Sequence, residues 1–121
     1  MNNEVNPEIE KTHPTEFIIV ITTTNNAEEA EKLAGLLVGQ KAAACVSISS
    51  AITSLYRWKN NVEKEQEFML LIKTVKGNYQ AVERLIRQNH SYEVPEIIAL
   101  PVISGEEKYL HWLAENTKIE K

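Results

Sequence analysis

Residues 42–75 read AAACVSISSAITSLYRWKNNVEKEQEFMLLIKTV, and this stretch decides the fold because apolar and polar side chains alternate along most of it. A period of two is typical of β-strands with one buried face. The alternation pauses at Ser49-Ser50-Ala51, which predicts an irregularity or a bulge. Asn60-Asn61 predicts the hairpin tip, because Asn tolerates the left-handed conformation of tight turns. The stretch is therefore predicted to form a hairpin with two unusually long arms.

A two-residue turn at Asn60-Asn61 places three glutamates opposite three residues of the first arm. The expected pairs are Trp58 with Glu63, Tyr56 with Glu65 and Ser54 with Glu67. Such a row of carboxylates repels itself and favours a cationic partner, although a solvated acidic edge that discourages aggregation is the alternative. The aromatic side chains of the arm favour packing on a neighbouring subunit in a closed ring, and a half-exposed amphipathic hairpin is the alternative there.

The flanking segments complete the element order. Residues 17–21, FIIVI, predict a strand covered on both faces, and residues 97–103 predict another, which Pro101 pushes to an edge or a bulge. The first helix is predicted to begin at Asn26, with Glu29 three residues on, and to end at Gly39. The second helix is predicted to begin at Gly77, and the last at a capping box of Ser104 with Glu107. The order β-α-β-β-α-β with a C-terminal helix is α+β and matches the ferredoxin-like split βαβ plan.

Composition narrows the function classes. All seventeen acidic residues are Glu and the net charge is −4, which disfavours nucleic-acid binding and excludes catalytic Asp residues. Cys45 is the single cysteine, without an adjacent base, and no nucleophile–base pair is apparent, so we expect no enzyme. Residues 1–16 are expected to form a disordered lead-in to one domain at residues 17–121. Without a membrane-spanning run or a visible signal peptide, a cytoplasmic location is expected.

The segment from His90 to Glu96, HSYEVPE, is the densest polar cluster between predicted elements. Loops of this kind often carry functional groups. His90 with Glu93 offers imidazole and carboxylate to Zn²⁺ or Cu²⁺. Two ligands do not make a site, so the segment alone predicts no metal centre.

Five strings in register resemble one known family. They are KAAACV at 41–46, TSLYRW at 53–58, LLIKT at 70–74, HSYEVPE at 90–96 and YLHW at 109–112. Their order and spacing resemble the CutA divalent-cation-tolerance family. The resemblance implies a cytoplasmic homotrimer of ferredoxin-like subunits, similar to the trimeric PII signal proteins. It also implies tolerance of divalent metal ions, copper especially, with no established reaction.

The resemblance implies a copper site, but this sequence differs from the family at two of the ligand positions. Some members are described with copper held by a Cys at the end of the first strand and by a His-His pair, where this sequence has Thr22 and Asn89-His90. We therefore expect weak Cu²⁺ or Zn²⁺ binding, with His90 the one plausible ligand and no metal obligatory. The residues expected to line a pocket at the subunit interface are Cys45, Trp58, Glu67, Lys73, Tyr92 and Glu96.

Two alternatives remain open. The first is a PII-like sensor that binds a small anionic metabolite between subunits through Lys73, and the second is a trimeric scaffold for partner proteins. Glu67 and Lys73 share a predicted strand face six residues, or about 20 Å, apart. Lys73 is therefore expected to meet a carboxylate of another subunit at the interface or pocket.

Overall fold

Strands and helices follow one another in the predicted order in the computed structural model, which describes residues 16–119. The elements are β1 (Phe17–Thr24), α1 (Ala27–Gly39), β2 (Cys45–Ile48), β3 (Ile52–Trp58), β4 (Asn61–Val75), a 3₁₀ turn (Lys76–Asn78), α2 (Tyr79–Asn89), β5 (Ile98–Val102) and α3 (Glu107–Glu115). The predicted lead-in lies outside the described residues except for Glu16, whose carbonyl accepts a 2.8 Å hydrogen bond from the Lys76 amide.

The strands form one antiparallel arrangement in the order β2-β4-β1-β5, and β3 pairs with β4 beyond the end of β2. This order, with helices crossing between the strands, is the predicted α+β ferredoxin-like fold. β5 lies at the edge next to β1, where Pro101 is tolerated opposite Ile18. β4 is fifteen residues long, so its first half extends past β1 and forms, with β3, an arm at residues 52–67.

The two faces of the sheet differ in cover. Even-numbered residues of β1 and β4 pack under α1 and α2, where Val20, Leu33, Leu70, Ile72 and Val82 are fully buried. On the opposite face, α3 covers one end through Leu110 and Leu113, which pack on Phe17 and Val75. We call the remainder of that side the open face; Ile19, Ile21 and Leu71 are half-buried there, and Ile98 and Leu100 are exposed.

The predicted irregularity between β2 and β3 is confirmed and sets the register of the arm. Ile48 pairs with Leu70 and Ile52 pairs with Glu67, so three residues of one strand oppose two of the other. This one-residue bulge moves the even-numbered residues from the helix-covered face in β2 to the open face in β3.

The predicted hairpin tip was wrong by one residue. The turn is Lys59-Asn60, with φ of 50° and 67°, and Trp58 pairs with Asn61. The pairs are consequently Tyr56 with Glu63, Ser54 with Glu65 and Ile52 with Glu67, rather than the predicted ones. The bulge adds one residue to the strand that precedes the turn, and the resulting register places Lys59 at the first turn position. That position is left-handed, and Asn would adopt it at a lower energy than Lys does.

Helix ends match the predictions in part. Asn26 caps α1, its Oδ1 accepting a 2.9 Å hydrogen bond from the Glu29 amide, and α1 ends at Gly39 as predicted. The left-handed residue that follows is Lys41, with φ of 60°. The predicted Ser104 box was wrong: Glu106 caps α3 and accepts from the amides of Lys108 and Tyr109 at 3.1 and 2.8 Å.

Candidate functional site

A cleft of about 750 Å³ lies between the arm and the loop at residues 92–96. Glu67 lines it at the base of the arm, and the loop contributes the opposite wall. Four of the predicted pocket residues meet here, namely Trp58, Glu67, Tyr92 and Glu96. The other two, Cys45 and Lys73, pair with each other at the opposite end of β4 and do not line the cleft. Within one subunit, the residues of the predicted pocket therefore lie in two separate places.

A buried carboxylate anchors the loop to the arm. The Tyr92 hydroxyl donates a 2.7 Å hydrogen bond to Oε2 of Glu67, which is 5% exposed. Burying a carboxylate is unfavourable unless a donor or a cation compensates it, so this bond holds the loop against β4. Within the described part of the chain, Tyr92 is the side chain that bonds to the Glu67 carboxylate.

The His90 side chain is fully buried beneath the loop, and both ring nitrogens are engaged. Nδ1 accepts a 3.0 Å hydrogen bond from the Tyr92 amide, and Nε2 lies 2.7 Å from the Thr23 carbonyl oxygen. An acceptor at Nδ1 and a donor at Nε2 define the neutral Nε2–H tautomer. A metal ion would have to displace one of these partners, so the ring holds the loop in this geometry. The predicted role as a ligand stays a prediction.

Three acidic residues and one basic residue, Arg57, line the cleft, so acidic side chains predominate there. Burial and then the Glu65, Glu63 and Glu67 carboxylates raise the pKa of Tyr56. Burial first, and then the hydrogen bond to Glu67, also raise the pKa of Tyr92. A negative neighbourhood disfavours phenolate and favours bound cations. Within residues 16–119, however, no three His, Cys or acidic side chains are grouped closely enough to hold a metal ion.

Cys45 and Lys73 form a different environment on the open face. Lys73 Nζ lies 3.1 Å from the Ser47 hydroxyl oxygen and 3.9 Å from the Cys45 sulfur. Both contacts are with neutral polar groups, so the ammonium charge stays available to an anion or to a second chain. This environment is positive, whereas the cleft at the other end of β4 is negative.

Sequence reasoning missed the residues behind the loop. Glu29 Oε2 accepts hydrogen bonds from Thr24 Oγ1 at 2.5 Å and Ser91 Oγ at 3.2 Å, and it lies 3.6 Å from His90 Nδ1. The only sequence signal for Glu29 was its position in the first turn of α1. Thr22 faces the covered side of the sheet instead and is fully buried, and its Oγ1 has no hydrogen-bond partner among residues 16–119.

The chain matches the family model described as CutA1 divalent ion tolerance protein over residues 18–116. The Thermus thermophilus protein named divalent-cation tolerance protein CutA is 41% identical over 99 residues, which are 82% of this chain and 96% of that one. The Arabidopsis thaliana protein named Protein CutA, chloroplastic, is 41% identical over 111 residues, which are 92% of this chain. This chain spans only 60% of that plant relative's length.

A solved structure shares the architecture. The crystal structure of CutA1 from Oryza sativa has a TM-score of 0.84 and 40% identity, covering 86% of this chain and 95% of that one. No helix within residues 16–119 is long and apolar enough to cross a membrane.

Proposed function

Since the chain belongs to the CutA1 divalent ion tolerance family, we propose that it acts in divalent-cation tolerance as a homotrimer that binds Cu²⁺ or Zn²⁺ weakly and catalyses no reaction. The acidic cleft is the observation that carries the metal-binding half of the proposal. Glu67, Glu93 and Glu96 line it, and Glu63 and Glu65 follow on the same face of β4. Carboxylates concentrated in this way attract divalent cations.

Weak binding follows from how these carboxylates are placed. One Glu67 oxygen is already held by Tyr92, and the buried His90 ring has a partner at each nitrogen. A tight zinc or copper site needs three or four ligands in a fixed geometry, with no competing partners. We infer that an ion is held here by a few carboxylate oxygens and water.

Self-association is supported by surfaces that one subunit leaves uncovered. The open face presents Ile98 and Leu100, 48% and 47% exposed, and the arm presents Leu55 and Val62, 69% and 63% exposed. Apolar patches of this kind mark interfaces, and the outer edge of β3 offers backbone groups to another strand. A closed ring of three copies would cover both, since each arm reaches beyond its own sheet.

Two measurements test the proposal. Sedimentation at micromolar concentration should give about three times 13.8 kDa, and a stable folded monomer would contradict the trimer. Calorimetry with Zn²⁺ and with Cu²⁺ should give weak binding that Glu96→Gln reduces further. Unchanged binding in Glu96→Gln would place the metal elsewhere, and His90→Gln tests the predicted histidine ligand in the same experiment.

Lys73 favours one alternative function, a PII-like sensor of a small anionic metabolite. Its ammonium group is half-buried and contacts a hydroxyl and a thiol rather than a carboxylate. Titration with sulfate and with citrate, compared between the wild type and Lys73→Met, separates this alternative from metal binding. Saturable anion binding lost in Lys73→Met would favour the sensor; binding of neither ligand class would leave the scaffold role.

The cytoplasmic location stays a prediction, since the Arabidopsis relative is named chloroplastic.

A further inference from the structure

The Glu67 carboxylate is buried without a positive partner. Its residue is 5% exposed, and its one side-chain hydrogen bond within residues 16–119 comes from the neutral Tyr92 hydroxyl to Oε2. No Lys or Arg in that range forms an ion pair with it. Buried charges in proteins are ordinarily matched by an opposite charge. Within residues 16–119, no side chain or amide donates a hydrogen bond to Oε1 of Glu67, and Glu67 lines the cleft.

Aromatic side chains surround the same space. Tyr56 and Trp58 reach the cleft from β3, and Tyr92 reaches it from the loop. Tyr56 and Trp58 are 40% and 38% exposed in a single subunit, and the Lys59 ammonium already lies over the Trp58 ring, 5.8 Å from its centroid. Aromatic faces beside a carboxylate are the usual means by which proteins bind an organic cation. The volume of about 750 Å³ also lies in the range typical of small-molecule sites.

We propose that this cleft binds a primary alkylammonium group, with Oε1 of Glu67 accepting an N–H hydrogen bond and Tyr56 and Trp58 packing against the alkyl carbons. The inference concerns the cleft of the proposed function and names an organic ligand class for it. A primary ammonium supplies the N–H donors that a buried carboxylate needs, whereas a quaternary ammonium supplies none. The raised pKa values of Tyr56 and Tyr92 agree with a cleft whose field favours cations.

Two sources supply this chemistry: a free amine, and the side chain of a lysine on a second copy. Lys73 is the candidate lysine, since it shares the open face with Glu67 but lies six residues along β4, too far to reach it within one chain. Calorimetry with n-butylammonium chloride, on wild type and on Lys73→Met, distinguishes them. Binding by the wild type identifies a free amine, and binding by Lys73→Met alone identifies the lysine of a neighbour. Binding by neither overturns the proposal.

The role of Glu67 has a matched control on the same strand face. Glu67→Gln removes the charge but keeps the shape, and should weaken butylammonium binding roughly tenfold, because a charge-assisted hydrogen bond is lost. Glu63→Gln removes an equal charge outside the cleft lining and should change the affinity less than about twofold. Equal weakening by both variants would show a general field effect and overturn the specific site.

Further measurements test ammonium binding separately from metal binding. If Glu67→Gln does not fold, Trp58→Leu serves instead, because Trp58 is accessible and its loss removes the aromatic wall. Tetramethylammonium should bind at least about tenfold more weakly than butylammonium, since it donates no hydrogen bond. Equal affinity for both cations, or unchanged binding in Trp58→Leu, would contradict the proposal. Zn²⁺ titrations in amine-free buffer report on the proposed function alone.

Discussion

The Tyr92 hydroxyl and Oε2 of Glu67 lie 2.7 Å apart and join a loop to a strand twenty-five residues earlier in the chain. This bond compensates a carboxylate that is 5% exposed and fixes one wall of the cleft. The bond therefore links the loop to the base of the arm. His90, two residues before Tyr92, adds a second anchor through the Tyr92 amide and the Thr23 carbonyl.

Tyr92→Phe should lower the free energy of unfolding by about 2 kcal/mol, because a buried carboxylate loses its donor while the ring volume is kept. Urea denaturation measures the change. Tyr109→Phe is the control, since Tyr109 is 41% exposed on α3 and its loss should stay within about 0.5 kcal/mol. Equal effects of the two substitutions would mean that the bond to Glu67 contributes nothing.

Alkaline pH should destabilise the fold through the same tyrosine. Its pKa is raised above the ordinary value of 10.0, first by burial and then by the hydrogen bond to Glu67. The neutral phenol is therefore favoured in the folded state, and its contribution is fully present below the unfolded pKa and is lost as the pH rises above it. Denaturation curves between about pH 9 and pH 11 should show a steeper loss in the wild type than in Tyr92→Phe. Parallel curves would contradict this assignment.

Thr22→Val should raise the free energy of unfolding by about 1 kcal/mol, because Oγ1 of Thr22 is buried without a partner and a methyl group of similar size removes the unmet polar atom. Thr74→Val is the matched contrast on the same covered face. Thr74 Oγ1 donates a 2.6 Å hydrogen bond to the Ala42 carbonyl, so its loss should destabilise by about 2 kcal/mol. Thermal denaturation should thus give opposite signs, and equal signs would refute the argument.

His90→Ala should lower the free energy of unfolding by about 3 kcal/mol, because a fully buried ring is removed together with hydrogen bonds at both nitrogens. Urea denaturation checks it against Gln88→Ala, exposed near the end of α2, which should cost less than about 1 kcal/mol. A fully stable His90→Ala protein would show that the loop does not depend on the ring, and would restore its case as a free metal ligand.

Lys73→Met should lower the trimer fraction or the melting temperature, because we expect the ammonium to meet a carboxylate of another subunit at the interface or pocket. Losing one partner of a buried pair costs about 3–5 kcal/mol, whereas losing an exposed one costs about 0–1 kcal/mol. Sedimentation and thermal denaturation measure the two quantities. Lys32→Met, exposed on α1 and away from both the arm and the open face, should change neither. No change in Lys73→Met would show a solvated lysine and weaken the anion-sensor alternative.

Periodicity predicted the architecture well where the pattern was local. The alternation of Phe68, Leu70 and Ile72 with Met69 and Leu71 placed the correct residues under the helices, because successive strand side chains point to opposite faces. The Asn26 cap was also predictable, since its partner lies three residues away. The tip of the hairpin was not, because the register of β3 on β4 depends on how many residues the bulge inserts, and the residue types at the tip do not report that number.

The sequence by itself determined the element order, the two faces of the sheet and the family, because these depend on periods and strings within short windows. Only the tertiary structure decided that Glu67 meets Tyr92, that His90 is enclosed by Thr23 and the Tyr92 amide, and that Lys73 stays apart from both. These contacts join residues up to 67 positions apart. Their geometry depends on where the bulge and the loop place each backbone, and side-chain periodicity carries no information about that distance.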